Sequence, residues 1–212
     1  MLHGHSENEL EFPGRDRRKV TIKFKYKIKT LPAVEPVLTP EMELFIKDVE
    51  TIDLPLLDSL TVAARLEVEK LTGLALIEQT WTAYSDILPG RIFELRFGRI
   101  ISVTTIKVFA DDGSSETVPA ADYYVAQGDP RIALKHGGTW PSIGQEAEGF
   151  QVEFKTGFGT AGSDVPADII AAIKQLTTLY YEYREPIVFG NLPADIKFTL
   201  DTIIRNNKIW NI

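Results

Sequence analysis

The sequence contains no cysteine, which excludes disulfides, thiolate metal sites and cysteine nucleophiles together. Its three histidines are His3, His5 and His136; the first two could chelate as a pair, but a closed zinc site takes four ligands. No serine lies in a G-x-S-x-G elbow, and nothing beside His136 supplies a nucleophile for it to activate. No run of about 18 apolar residues occurs, so no membrane span is expected. The opening residues MLHGHSENELEF are polar and acidic and lack the apolar segment of a secretory signal. Internal repeats and low-complexity tracts are also missing. The residues themselves thus nominate no catalytic, cofactor-binding or metal-binding group, and the chain is expected not to be an enzyme.

What is present is a soluble-type composition with an uneven charge. Of 212 residues, 44% are hydrophobic and 25% charged, enough for one sizeable core or a core with an appendage. The net charge is −7, yet residues 15 to 29 hold Arg15, Arg17, Arg18, Lys19, Lys23, Lys25, Lys27 and Lys29 against the single Asp16. An acidic body carries one basic strip. From Lys19 to Lys29 the order alternates strictly: Val20, Ile22, Phe24, Tyr26 and Ile28 on one side, Thr21, Lys23, Lys25, Lys27 and Lys29 on the other. Such alternation predicts a strand with one apolar and one cationic face. Its lysines either protect a sheet edge from unwanted pairing or meet an acidic neighbour or nucleic acid, whose phosphates attract cations in a salt-sensitive way. No aromatic platform interleaves the charged face, which argues against reading of bases.

Pro32, Pro36 and Pro40 mark residues 31 to 39 as a linker, so residues 1–38 form an N-terminal arm and 39–212 the main domain. A short helix is predicted from Pro40 to about Val49, capped by Thr39, and a longer one from Leu54 to Thr72, with Leu57, Leu60, Ala64, Val68 and Leu71 as its stripe and Gly73 as its stop. Residues 74–157 change to short strands: Ile77–Tyr84, Arg91–Phe97, Thr104–Phe109, Tyr123–Ala126 and Ile132–Lys135, with Asp111-Asp112-Gly113 as a hairpin turn. The short connections predict antiparallel pairing, because parallel strands need crossovers of about a dozen residues or more.

The stretch from Phe150 to Glu185 is the most explicit. Phe150, Val152 and Phe154 alternate with polar residues as in a half-buried strand. Gly157, Gly159 and Gly162 then interrupt, Asp164 stands as an N-cap and Pro166 in the first turn. Ile169, Ile173, Leu176, Tyr180 and Tyr183 follow at helical spacing on one face, predicted to pack on Leu57, Leu60 and Ala64. Gly157 to Gly162 matches the dinucleotide fingerprint G-x-G-x-x-G. In that fingerprint the helix starts within the glycines and a parallel strand follows, whereas here only another helix follows, so a plain turn is expected. Asp111, Asp112, Asp122 and Asp129 are read as turn residues bonding their own backbone. A last helix, about 193–207, carries Ile196, Leu200 and Ile203 and frays at Asn206-Asn207. Beyond it, Ile209, Trp210 and Ile212 either tuck onto their own domain or insert into a neighbour. The expected fold class is α+β: a small helical bundle from helices at about 40–72 and 165–207, an inserted antiparallel β unit at about 74–157, and an N-terminal basic β arm.

Ala63-Ala64-Arg65, Val68-Glu69 and TGLALIEQTW at 72–81, followed by Gly138-Thr139-Trp140-Pro141, Gly157-Phe158-Gly159, Val165-Pro166 with Ile169 and Ala172-Ile173, and Tyr181-Glu182 with Arg184-Glu185, resemble in order and spacing the head-tail connector (adaptor) proteins of tailed bacteriophages and gene transfer agents. The resemblance covers about residues 38–207 and leaves the arm unmatched. It implies a non-enzymatic virion protein without cofactor: a homo-oligomeric ring, commonly of twelve copies, beneath the portal protein at the capsid–tail junction, assembled in the host cytoplasm. A head-completion (stopper) or tail protein would dock below, and DNA would pass through the lumen. Lys23, Lys25, Lys27 and Lys29, with Ile209, Trp210 and Ile212, are then the expected interaction residues. The alternative is a DNA-associated binding module using the strip 15–29.

Overall fold

The computed structural model describes residues 22–47, 49–126, 130–183, 201–203 and 205–207. It builds two apolar cores, one helical and one of β-strands, joined along one end of a sheet.

The helical core begins with α1 (Thr39–Phe45) and α2 (Leu54–Thr72). The first is shorter than its pattern predicts and is not capped by Thr39: Leu38 is the N-cap, with no side-chain cap, while the Thr39 hydroxyl donates to Asp58 at 2.8 Å. In α2 the predicted bounds hold, and Gly73 closes it at φ +74°, a left-handed conformation that glycine adopts without Cβ strain. The buried face is displaced from the expected stripe. Leu57, Ala64 and Val68 are buried as expected, but Thr61, Arg65 and Thr72 join them while Leu60 and Leu71 stay half-buried. Both threonines return their hydroxyls to the carbonyl one turn back, Leu57 and Val68, so burial leaves no unpaired donor.

α3 (Ala167–Glu182) lies on α2. Ile169, Ile173 and Leu176 share the helical core with Leu57, Ala64 and Val68, and Tyr180 packs at its margin. Tyr183 is exposed; Leu179 is buried instead. The predicted cap is also corrected: Asp164 ends a preceding 3-10 turn (Gly162–Asp164), where its carboxylate accepts from the Ala161 amide at 3.0 Å, and Pro166 precedes α3. Residues 201–203 and 205–207 are helical. Ile203 rests on the same core, and Asn207, expected to fray, donates to Asp168 at 2.7 Å.

The inserted unit holds β2 (Gln79–Ser85), β3 (Ile92–Glu94), β4 (Ile100–Phe109), β5 (Ser115–Thr117), β6 (Tyr123–Val125), β7 (Arg131–Leu134) and β8 (Phe150–Thr156). β1 (Lys25–Thr30) comes from before α1 and completes a five-stranded antiparallel sheet of order β1-β2-β8-β4-β5; β3-β7-β6 form a second, three-stranded sheet. Phe150, Val152 and Phe154 point into the β core with Ala83, Ile106, Phe93 and Ile132. β5 was not foreseen, since Ser-Glu-Thr is wholly exposed and its hairpin partner rather than its own pattern defines it.

Three predicted strands are shorter than expected, β2, β3 and, by one residue, β6, while β4 is longer and starts at Ile100 rather than Thr104. Ile77 lies outside β2, in a lone parallel bridge with Gly159. β3 stops at Glu94 because the chain turns at Phe97, whose φ of +73° is costly for a bulky residue. Phe97 stacks on Trp81 with ring centroids 4.0 Å apart and meets the edge of Tyr26 at 5.3 Å; its carbonyl accepts from Ala75 and from the Thr156 hydroxyl. Packing on both sides holds the strained turn.

Candidate functional site

β1 starts at Lys25, and the expected alternation is seen from Ile22 onward: Lys23, Lys25, Lys27 and Lys29 are exposed, while Ile22, Phe24, Tyr26 and Ile28 are half-buried. Residues 19–21 and the arginines of the strip lie outside the described residues. Phe24 meets Phe93 and Phe150. Tyr26 accepts a hydrogen bond from the Arg96 amide at 3.1 Å, and burial pushes its hydroxyl up to about 12. The apolar side therefore fastens the strand to the β core and fixes which way its lysines face.

Cross-strand register extends the lysine face beyond β1. Lys25 pairs with Tyr84, Tyr84 with Gln151 and Gln151 with Lys107; Lys27 pairs with Thr82, and Thr82 with Glu153. Residues directly opposite in a ladder point to one face, so Lys107, and Lys155 two residues after Glu153, belong to the same surface. Lys29 binds Glu153 at 2.6 Å, Lys155 binds Glu78 at 2.7 Å and Lys25 approaches Asp86 at 3.6 Å. Lys23, Lys27 and Lys107 make no ion pair among the described residues.

A buried charged seam was not anticipated. Arg65, 5% exposed, donates from Nε to Glu35 and from Nη1 to Glu69, each at 2.6 Å. The other oxygen of Glu69 accepts from the Leu76 amide at 2.9 Å and from the Gln79 amide nitrogen at 3.0 Å. Loss of water raises the Glu69 carboxyl above its ordinary range, opposed by these hydrogen bonds and by the Arg65 charge. Linker, α2 and the start of β2 thus meet in one ionic cluster. The i,i+4 spacing of Arg65 and Glu69 was visible in the sequence, but such pairs usually lie in solvent.

The glycine turn is filled by protein. Gly157 has φ +140°, and a Cβ there would lie 2.7 Å from the Ile77 and Glu78 backbone. A Cβ on Gly159 would collide with the Asp164 carboxylate, and one on Gly162 would meet the Pro36 carbonyl at 2.5 Å. These glycines let the exit of the β unit approach its entrance, and the carboxylate over Gly159 is chemically unlike a phosphate cradle. Between linker and turn runs a cleft of about 600 Å³ walled by Val34, Leu38, Val165 and Ile170.

The remaining candidates are dispersed. His136 is exposed in a turn after β7. Asp112 accepts from the Ser114 hydroxyl and amide, which lowers its carboxyl below the usual range, as a turn aspartate does. Among the described residues no three His, Asp or Glu side chains group to hold a metal. His3, His5, Asp129, Ile209, Trp210 and Ile212 lie outside the described residues.

No protein-family model and no curated protein matches the chain. Solved structures do. A chain from the neck of an empty gene transfer agent particle, computed with C6 symmetry, superposes with a TM-score of 0.73 at 22% identity, covering 89% of this chain and 97% of that one. A chain from the virion of a native gene transfer agent particle gives 0.71 at 21%, covering 88% and 96%. One from the neck of a native particle, computed with C12 symmetry, gives 0.68 at 21%, covering 88% and 97%. The two-core α+β architecture, with its β unit inserted between helices, is therefore the fold of chains found in gene transfer agent necks, the fold to which the head-tail connector resemblance points.

Proposed function

We propose that this chain is a structural virion protein, a head-tail connector (adaptor) subunit in the neck of a phage or gene transfer agent particle. The observation that carries the reading is the superposition on neck chains over nearly the whole length of both partners. A locally similar sheet would not cover close to nine-tenths of this chain and nearly all of the other. In this reading copies form a ring, of twelve subunits, beneath the portal protein; a stopper or tail protein binds below and DNA passes through the lumen. The protein works by position, without catalysis or cofactor. The commitment of its most buried ionic residues, Arg65 and Glu69, to joining structural elements supports that reading.

The test is co-expression with the portal protein of the same particle, followed by mass measurement and particle imaging. The expected result is a stoichiometric complex with a ring of this chain on one end of the portal. Failure to associate with portal or particles, together with salt-sensitive binding of the monomer to duplex DNA, would replace this reading by that of a DNA-associated module using residues 15–29.

A further inference from the structure

We infer that the outer lysine face of the five-stranded sheet docks onto the ridge formed by α1 and the following 3-10 turn of a second copy of this chain. The inference rests on the reading of the protein as a neck-ring subunit. The two surfaces each hold what the other needs. On the sheet, Lys23, Lys27 and Lys107 make no ion pair among the described residues, and the half-buried Tyr84 lies on the same face, opposite Lys25 on one side and Gln151 on the other. On the ridge, Glu43 and Glu50 are exposed and likewise make no ion pair among the described residues.

The ridge also exposes large apolar side chains. Leu44 is 90%, Ile52 82% and Phe45 51% exposed; large apolar side chains left this open on short elements close in sequence give a partner something to cover. Lysine stems and a tyrosine ring can cover such side chains while the ammonium groups reach the flanking carboxylates. The acidic β4–β5 turn is the poorer candidate, because Asp112 is occupied by Ser114 and no large apolar side chain accompanies it.

Duplex DNA fits the sheet face less well. Asp86, Glu153 and Glu78 are interspersed with the lysines and pair with three of them, so a continuous phosphate array would meet carboxylates among the lysines. A protein surface of mixed charge can match that pattern. Sheet face and ridge are built by different elements, so a contact between them joins unlike surfaces and can repeat from copy to copy, as ring closure requires.

Association of the full chain is measured by sedimentation and mass photometry across concentration, at low and moderate salt. Lys23→Glu with Lys27→Glu should weaken it about tenfold or more, as should Glu43→Lys with Glu50→Lys. Combining all four should restore most of the loss. Circular dichroism checks that these exposed substitutions leave each monomer folded. The absence of native cysteine provides a second readout: a chain carrying both Lys27→Cys and Glu43→Cys should form a ladder of cross-linked multimers on oxidation, whereas either single variant should not. Copies that associate with unchanged affinity in both reversals and give no ladder would overturn the inference while leaving the neck-subunit reading intact. Copies that associate in no condition and give no ladder would also overturn the inference, while the neck-subunit reading stands or falls separately on co-expression with the portal.

Discussion

Arg65 and Glu69 face each other one turn apart on α2 at 2.6 Å, with the arginine side chain 6% and the glutamate 13% exposed. Removing water from two charges is expensive, and the cost is offset only when each remaining hydrogen-bonding group is occupied. Here Glu35, the Leu76 amide and Gln79 occupy them. Replacing Arg65 alone, as Arg65→Met, leaves carboxylates uncompensated and should cost about 3–5 kcal/mol in urea unfolding. Arg65→Met with Glu69→Gln should recover part of that loss, because Gln keeps an acceptor oxygen without the stranded charge.

The displaced stripe of α2 can be tested by truncation. Leu57 is fully buried in the helical core, whereas Leu60 is half-buried. Leu57→Ala should destabilise by about 2–5 kcal/mol through lost contact and a residual cavity. Leu60→Ala should cost distinctly less in the same denaturant titration.

The turn glycines should differ in tolerance. Gly157→Ala puts a Cβ into the Ile77 and Glu78 backbone at an unfavourable φ and should lower stability by more than about 1 kcal/mol. Gly113 also has positive φ, +79°, but open space around it, so Gly113→Asn, a residue that tolerates this conformation, should be nearly neutral. Thermal melts of the two variants provide the comparison.

Tyr26 gives a pH signature. Its hydroxyl is raised from 10.0 to about 12 by burial, so between these values the unfolded chain loses the proton while the folded chain keeps it. A raised acid contributes stability that is fully present below pH 10 and is lost as pH rises to about 12. Tyr26→Phe should lack this component. The stability difference between wild type and variant should therefore shift toward the variant across that interval, as read from unfolding curves at each pH.

How far the sequence disclosed this molecule can be judged at particular residues. Leu54–Thr72 was legible because proline, apolar spacing and Gly73 agree on one helix, and Phe150–Thr156 because strict alternation admits one face. Arg65 was hidden: its burial depends on Glu35, thirty positions away, which no local pattern carries. β5 was hidden because three exposed residues have no face to pattern. Phe97 was hidden because its positive φ is held by Trp81 and Tyr26, distant in sequence. Of the lysine face, the alternation disclosed Lys23, Lys25, Lys27 and Lys29 but not Lys107 and Lys155, which join them only through register.

Thr30 lies opposite Thr80, Thr80 opposite Lys155, and Gln79 opposite Thr156. Among the described residues the three passages of the chain between the two cores therefore leave from one end of the sheet, side by side across β1, β2 and β8. Three tethers in a row resist sliding and twisting of one body against the other, and leave bending about the line they define as the softest mode. In the proposed role of a neck subunit, compliance confined to a single axis would let the joint tilt without unscrewing.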